Sequence, residues 1–236
     1  MTSTDLLSVA TQFGAPVYVY DAEKITAQYN RLSQAFRQVP SVRLNYAVKA
    51  LNNISILRLM NHLGSGLDTV SIQEVQLGIQ AGFDPKNIIF TPNGVSLEEL
   101  EQAAALGVQI NIDNLSLLEQ FGSKHPQIPV CVRINPHVLA GGNANISVGH
   151  IDSKFGISIH QIPHILRIVE LTGMHINGIH MHTGSDILDI DVFLYASEIL
   201  FNPLAAFTSP ARISVPSIPT IRSCTSSLTR SSTDLF

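Results

Sequence analysis

The chain has 236 residues, of which 45% are hydrophobic and 14% charged, and its formal net charge is −4. Such a chain can build one large core or two small ones, and the absence of a basic run argues against nucleic acid as its main partner. No apolar run is long enough to span a bilayer, and residues 1–10 lack the pattern of a signal peptide. The two cysteines, Cys131 and Cys224, lie far apart, which fits a reducing cytoplasm better than a disulfide framework.

The hydrophobic pattern predicts strands and helices in alternation. A compact strand over 17–20 comes first, and Asp21 can cap a helix over 22–38. Six further strands are predicted, over residues 42–48, 66–70, 87–91, 108–112, 129–134 and 174–182. Each precedes a helix, near residues 53–63, 71–82, 96–107, 114–121, 160–172 and 189–206. The spacing of a capping box marks two helix starts, Ser71 with Glu74 and Ser96 with Glu99.

Six strand–helix pairs separated by glycines indicate a parallel α/β architecture. The sequence leaves two forms of it, a doubly wound sheet and a (β/α)8 barrel. No glycine-rich dinucleotide fingerprint follows any strand, whereas polar clusters recur where several of the strands end. We therefore expect an incomplete (β/α)8 TIM-like barrel of about six units, with its site at the carboxyl ends of the strands.

Two segments depart from this alternation. The loop over 135–160 is long, and long loops in compact domains are usually functional. Residues 208–236 are rich in Ser, Thr and Pro and follow no period, which is typical of a disordered tail or of a segment read in a wrong frame. Because a barrel needs eight strands, we expect a truncated chain: an N-terminal segment over 1–24, a partial barrel over 25–207 and an aberrant tail over 208–236.

A lysine and a possible ion pair lie at strand ends. Lys49 ends the strand over 42–48. Lysines held beside apolar neighbours lose a proton more easily and can form a Schiff base with an aldehyde cofactor, although most lysines at strand ends are merely solvated. Arg133 lies in an apolar strand, where an arginine is normally paired. Asp68, at the end of the strand over 66–70, or an anionic ligand is its natural partner.

The strand over 174–182 carries His180 and His182, which face the same way because they are two residues apart. They can be buried histidines with satisfied hydrogen bonds, a metal-binding pair, or a flat surface that stacks on a ring. Gly184 and Ser185 follow directly before a helical segment, where backbone amides and a hydroxyl suit a phosphate group.

Five motifs in this order resemble the pyridoxal-phosphate-dependent decarboxylases of alanine-racemase-like fold. They are Tyr46-Ala47-Val48-Lys49-Ala50, Gly66-Leu67-Asp68-Thr69-Val70-Ser71, Arg133-Ile134-Asn135-Pro136, Ser153-Lys154-Phe155-Gly156 and His180-Met181-His182-Thr183-Gly184-Ser185. The resemblance covers about residues 12–206. Within the family, the long segment over 133–156 is similar to the diaminopimelate decarboxylases rather than to the ornithine decarboxylases.

The resemblance implies a role for each candidate residue. Lys49 would be the lysine that forms the Schiff base with pyridoxal 5'-phosphate, and His182 would stack on the pyridine ring. The remaining members of the implied cofactor site are Gly184 and Ser185 at the phosphate and Asp68 and Arg133 beneath the cofactor. The implied reaction is decarboxylation of diaminopimelate to lysine, in a cytoplasmic homodimer.

The sequence also departs from the family. It lacks the family's glycine triplet, the Glu-Pro-Gly-Arg segment and the C-terminal β-domain, with which the strand over 17–20 would pair. We therefore expect a weakly active or inactive fragment of poor solubility, because an open barrel exposes two sheet edges. Two alternatives stay open: a non-enzymatic pyridoxal-phosphate-binding barrel, and a related decarboxylase of arginine, ornithine or carboxynorspermidine.

Overall fold

The computed structural model describes residues 1–138, 155–182, 184 and 189–201. Within them, helices and strands alternate from the first strand onward. The helices are α1 (Ser3–Phe13), α2 (Ala22–Ala35), α3 (Ile54–His62), α4 (Ile72–Gln80), α5 (Leu97–Ala105), α6 (Leu115–Lys124), α7 (Ile162–Thr172) and α8 (Ile190–Phe201). The strands are β1 (Asn45–Ala47), β2 (Gly66–Thr69), β3 (Ile88–Phe90), β4 (Gln109–Ile112), β5 (Val130–Asn135), β6 (Ile157–Ser158) and β7 (Ile176–His180).

The strands form one parallel sheet. Strands β1 to β5 lie side by side in chain order, and β7 pairs with β5, so that Arg133 is in register with His180. The short strand β6 pairs with the last two residues of β5. In the described ranges β1 pairs only with β2, so this part of the sheet is open. The topology confirms the predicted α/β fold, because strand–helix units in series with parallel pairing are the construction of a barrel.

Polar side chains fix where the helices begin. The hydroxyl of Ser96 accepts the N–H of Glu99, whose carboxylate accepts the N–H of Ser96, as the predicted capping box requires. At α4 only half of the predicted box forms. Ser71 accepts the N–H of Glu74, but the Glu74 carboxylate accepts the N–H of Val70 instead of that of Ser71. Each cap sets the direction in which its helix leaves the strand end.

The core lies between the sheet and the helices α3 to α7. Strand β5 is buried at every residue, as expected for a parallel strand covered on both faces. The largest fully buried side chains come from the middle strands and the helices that cover them: Phe90, Phe121, Leu57, Leu67, Ile88, Leu100, Ile110, Ile112, Leu118, Ile134 and Ile165. This core holds the carboxyl ends of β2 to β5 in fixed relative positions.

Several predictions need correction. Residues 17–20 form no strand, and Tyr18 is 89% exposed, so the local apolar pattern has no sheet edge to pair with. The strand predicted over 42–48 is confined to β1, because a 3₁₀ turn over Val48–Ala50 follows it at once. Strand β6 was not predicted, since two residues are too short to show a period. Residues 139–154 and 202–236, which include most of the long loop and the whole predicted tail, lie outside the described residues.

No helix in the described ranges combines the length and the apolar character needed to cross a membrane.

Candidate active site

Polar and charged side chains collect at the carboxyl ends of the parallel strands. Each strand except the two-residue β6 contributes at or just beyond its end. The group consists of Lys49 after β1, Asp68 in β2, Thr91 after β3, Asp113 after β4, Arg133 in β5, and His180 and His182 from β7 onward. Carboxyl ends of parallel strands meet at one edge of the sheet, so the fold brings together side chains that are up to 133 residues apart in sequence (182 − 49).

Lys49 stands in the 3₁₀ turn over Val48–Ala50, one residue after a fully buried valine. The Tyr46 hydroxyl donates a hydrogen bond of 3.1 Å to the carbonyl of Leu51, which closes the turn around Lys49. The Lys49 side chain is exposed. An amine on a short, hydrogen-bonded turn is both accessible to a small molecule and restricted in where it can reach.

Asp68 is the partly buried carboxylate of the group. Burial raises its pKa above the ordinary value, and three neighbours oppose this: the Thr91 hydroxyl, the charge of Lys49 and the charge of Arg133. The Thr91 hydroxyl donates to Asp68 Oδ1 over 2.8 Å. Asp68 therefore lies within the electric field of both cations of the site.

Arg133 is only 7% exposed, so its charge must be balanced by its surroundings. Burial lowers its pKa, and the charges of Asp113 and Asp68 raise it again. Its guanidinium carbon lies 5.0 Å from the centre of the Phe155 ring, a cation–π contact. The neighbouring Gly156, with φ at +83°, lets the chain pass close to the β5 backbone, because a Cβ there would stand 3.2 Å from the Arg133 carbonyl oxygen.

The two histidines of the β7 end are held neutral. Burial, followed by the positive charges of Arg133 and His182, lowers the pKa of His180 from 6.5 to about 4. Burial, Arg133 and Lys49 lower the pKa of His182 in the same way. The Nδ1 atom of His180 is buried and makes no hydrogen bond in the described part of the chain. Of the two predicted phosphate-binding residues, Gly184 is described, with φ at 136°, and Ser185 lies outside the described residues.

Three polar residues at these strand ends were not predicted from the sequence. Thr91 links Asp68 to Asn111, whose Nδ2 donates to the Thr91 hydroxyl over 3.0 Å. Asp113 acts on Arg133 and accepts a hydrogen bond of 2.6 Å from Asn93 Nδ2. The signal was available, because Thr91, Asn111 and Asp113 are polar residues at the ends of apolar strands.

The arrangement favours binding of a small anionic carbonyl compound. It offers one accessible primary amine, a second cation that is buried, and neutral imidazoles beside them. Amines condense with carbonyl groups, and buried cations attract anionic ligands. No set of three or more His, Cys, Asp or Glu side chains placed to hold a metal ion occurs among the described residues, so the metal-pair interpretation of His180 and His182 finds no third ligand there.

Comparison with known proteins identifies the relatives of this chain. Residues 22–209 match the family described as "Pyridoxal-dependent decarboxylase, pyridoxal binding domain". The chain is 36% identical over 200 residues to a diaminopimelate decarboxylase of Methanothermobacter thermautotrophicus, a match that covers 84% of this chain and 47% of the relative. It is 34% identical over 191 residues to that of Escherichia coli K12, covering 79% of this chain and 44% of the relative.

Solved structures agree. The crystal structure of diaminopimelate decarboxylase from Helicobacter pylori complexed with L-lysine superposes with a TM-score of 0.78 at 30% identity, over 88% of this chain and 54% of that one. The chain therefore spans about half the length of the relatives that it matches. Its match over residues 22–209, together with these relatives, shows that it belongs to the family of pyridoxal-dependent decarboxylases.

Proposed function

We propose that this chain holds pyridoxal phosphate through Lys49 and serves the decarboxylation of meso-2,6-diaminopimelate to L-lysine. One observation carries the proposal. The positive charge of Lys49, after the first strand, acts to lower the pKa of both Asp68 in β2 and His182 beyond β7. The accessible amine and the neutral imidazole suit the aldehyde and the ring of this cofactor, and the partly buried carboxylate lies within electrostatic range of both.

The residues of the site fit this cofactor on structural grounds. The accessible amine of Lys49 suits the aldehyde, and the neutral, half-buried His182 suits a flat aromatic ring. The buried hydrogen-bonding atom of His180 without a described partner indicates that a polar group belongs nearby. Gly184 has no side chain and a φ of 136°, which favours glycine, so its backbone amide is open to a phosphate group.

When bound, the cofactor would supply an electron-accepting ring that stabilises the charge left behind as carbon dioxide departs. The chain's own residues would hold and orient it. Lys49 would bind the aldehyde end, and His182, whose pKa is lowered by burial and by the charges of Arg133 and Lys49, would offer an uncharged ring surface to the pyridine. Asp68 and Arg133 would supply charges of opposite sign to the same site.

The substrate proposal comes from the relatives. The curated relatives at 31–36% identity are named diaminopimelate decarboxylases. Structures of a lysine/ornithine decarboxylase and an arginine decarboxylase share the fold at only 24% and 22% identity, which supports the fold alone. A cytoplasmic location and a homodimeric enzyme complete the proposal. The location is supported by the two widely separated cysteines, and the homodimer by the family resemblance.

Borohydride reduction tests the cofactor site. The full chain is incubated with pyridoxal phosphate, reduced and digested, and the pyridoxyl group is located by peptide mass spectrometry. We expect the label on Lys49 and its loss in Lys49→Ala. Lys86 is the matched control, because it also stands in a 3₁₀ turn next to a strand. Its turn precedes β3, whereas the turn of Lys49 follows β1. Lys86→Ala must keep the Lys49 label, and labelling spread evenly over the lysines would overturn the assignment.

Competition by amino acids tests the substrate class without requiring turnover. A substrate amine competes with Lys49 for the cofactor, so preincubation with a true substrate should protect Lys49 from labelling. We expect diaminopimelate to protect at lower concentration than ornithine or arginine. The reaction of free pyridoxal phosphate with N-acetyl-lysine serves as the reference, because it measures how strongly each amino acid competes without the protein. Equal protection by all three would remove the substrate proposal. Labelling that no amino acid prevents would favour the non-enzymatic binding protein.

A further inference from the structure

A chain of two hydrogen bonds runs through the buried interior toward Asp68. Asn111 Nδ2 donates to the Thr91 hydroxyl over 3.0 Å, and that hydroxyl donates to Asp68 Oδ1 over 2.8 Å. Asn111 is 3% exposed and Thr91 is 7% exposed, so water does not readily replace either partner. The chain crosses three neighbouring strand ends, because Asn111 lies in β4, Thr91 follows β3 and Asp68 lies in β2.

The chemistry of the three groups fixes the direction of both bonds. An amide nitrogen can only donate, so the Thr91 oxygen must accept from Asn111. The single proton of the Thr91 hydroxyl is then free to point only at Asp68. With the Asn111 amide reversed, the hydroxyl proton would turn to Asn111, and lone pairs of Thr91 and Asp68 would face each other. Only the observed orientation satisfies the buried groups with Asp68 ionised.

The direction of the chain has a consequence for Asp68. Its Oδ1 accepts the Thr91 proton, so a proton on this carboxyl group belongs on Oδ2. Hydrogen bonds to a charged acceptor stabilise the ionised form and counter the effect of burial. Thr91 is the largest of the three influences that lower the Asp68 pKa, ahead of the charges of Lys49 and Arg133.

We propose that Thr91 and Asn111 are positioning residues that keep Asp68 ionised and orient its carboxylate within the site of Lys49 and Arg133. Both act through the hydrogen bond that Thr91 donates to Asp68. The inference deepens the proposed function and rests on it for its meaning, since the charge of Asp68 matters to the reaction only if Lys49 holds the cofactor.

Titration of Asp68 in the full chain without cofactor tests the inference. The Asp68 carboxyl ¹³C resonance is followed against pH by NMR in the wild type and in variants. Thr91→Val keeps the shape of the side chain and removes the donor, so the titration midpoint should rise by about one pH unit. Thr91→Ser keeps the hydroxyl and should return the midpoint close to that of the wild type. Asn111→Leu frees the hydroxyl to turn and should raise the midpoint by a smaller amount.

Thr69→Val is the matched control. Thr69 is fully buried, neighbours Asp68 in β2, and donates its hydroxyl to the Ile89 carbonyl over 2.9 Å rather than to Asp68. It should leave the Asp68 midpoint unchanged, while an equal rise would show that loss of any buried hydroxyl nearby has the same effect and would overturn the inference. An unchanged midpoint in Thr91→Val would overturn it too.

The two proposals fail separately. The titration needs no cofactor, so an unlabelled Lys49 would remove the proposed function while the Asp68 midpoint still decided the role of Thr91. Conversely, a labelled Lys49 with an unchanged midpoint in Thr91→Val would keep the function and remove the positioning role.

Discussion

The N-terminal helices and the middle of the sheet both contain large apolar side chains but place them differently. Helices α1 and α2 contain no buried residue, and Leu7 and Phe13 of α1 are 69% and 68% exposed. Strand β5 is buried at all six residues, and Phe90 of β3 is fully buried. The helices α1 and α2 and a helix that covers the sheet, α5, all begin at capped residues, so capping does not distinguish the two regions.

The difference shows that capping and packing contribute separately to the free energy of unfolding. Thr2 and Asp5 form a complete capping box at α1, yet this helix contains no buried residue. A helix without a buried face draws on propensity and caps alone, which are worth little for so short a segment. We therefore expect the free energy of unfolding to reside in the sheet and helices α3 to α7, and the candidate site to be as rigid as that core.

The largest expected effect comes from opening a cavity in the sheet. Phe90→Ala removes a fully buried ring between the sheet and its helices and should lower the free energy of unfolding by about 3–5 kcal/mol. Urea denaturation of the full chain, followed by circular dichroism, measures the change. A loss below about 1 kcal/mol would mean that the middle of the sheet is not the stable region.

A smaller effect should follow from the titration of His180. Its pKa in the folded chain is about 4, below the ordinary 6.5, so the unfolded chain takes up the proton first as the pH falls. Stability is therefore fully present above about pH 6.5 and is lost progressively toward pH 4, by up to about 3 kcal/mol. His180→Gln cannot take up this proton, so its stability should fall less steeply over that range.

Comparison of the two proteins at each pH isolates the histidine. Asp68 contributes with the opposite sign, because burial raises its pKa and protonation at low pH then favours the folded chain. That contribution is common to the wild type and to His180→Gln, so it cancels in the difference. Equal pH slopes for the two proteins would show that His180 is not the buried, neutral group that the site contains.

The alternation of strands and helices could be predicted from the sequence because each strand–helix unit is a local pattern. Capped helix starts and short apolar strands are visible one unit at a time, and the parallel order follows from their alternation. Lys49, Asp68, Arg133 and His182 could be picked out because each is a polar residue at or near the end of an apolar strand, and the family motifs add weight to each choice.

What the sequence did not predict depends on contacts between distant segments. The exposed segment over 17–20 has the alternation of a strand, but pairing requires a sheet edge that a local pattern cannot supply. The link from Asn111 through Thr91 to Asp68 joins residues 43 positions apart (111 − 68), and only the register of β2, β3 and β4 brings them together. The position of Asp113 after an apolar strand was visible in the sequence, but its effect on Arg133 depends on the pairing of β4 with β5.

The smallest expected effect concerns the N-terminal helices. Phe13→Ala removes the same ring as Phe90→Ala, but from α1, where the side chain is 68% exposed and packs in no core. The free energy of unfolding should change by no more than about 0.5 kcal/mol, because folding removes little of this ring's apolar surface from water. The same urea titration measures it beside Phe90→Ala. A loss above about 1 kcal/mol would show that α1 buries this ring against a surface in solution, and the contrast between the two regions would then have to be abandoned.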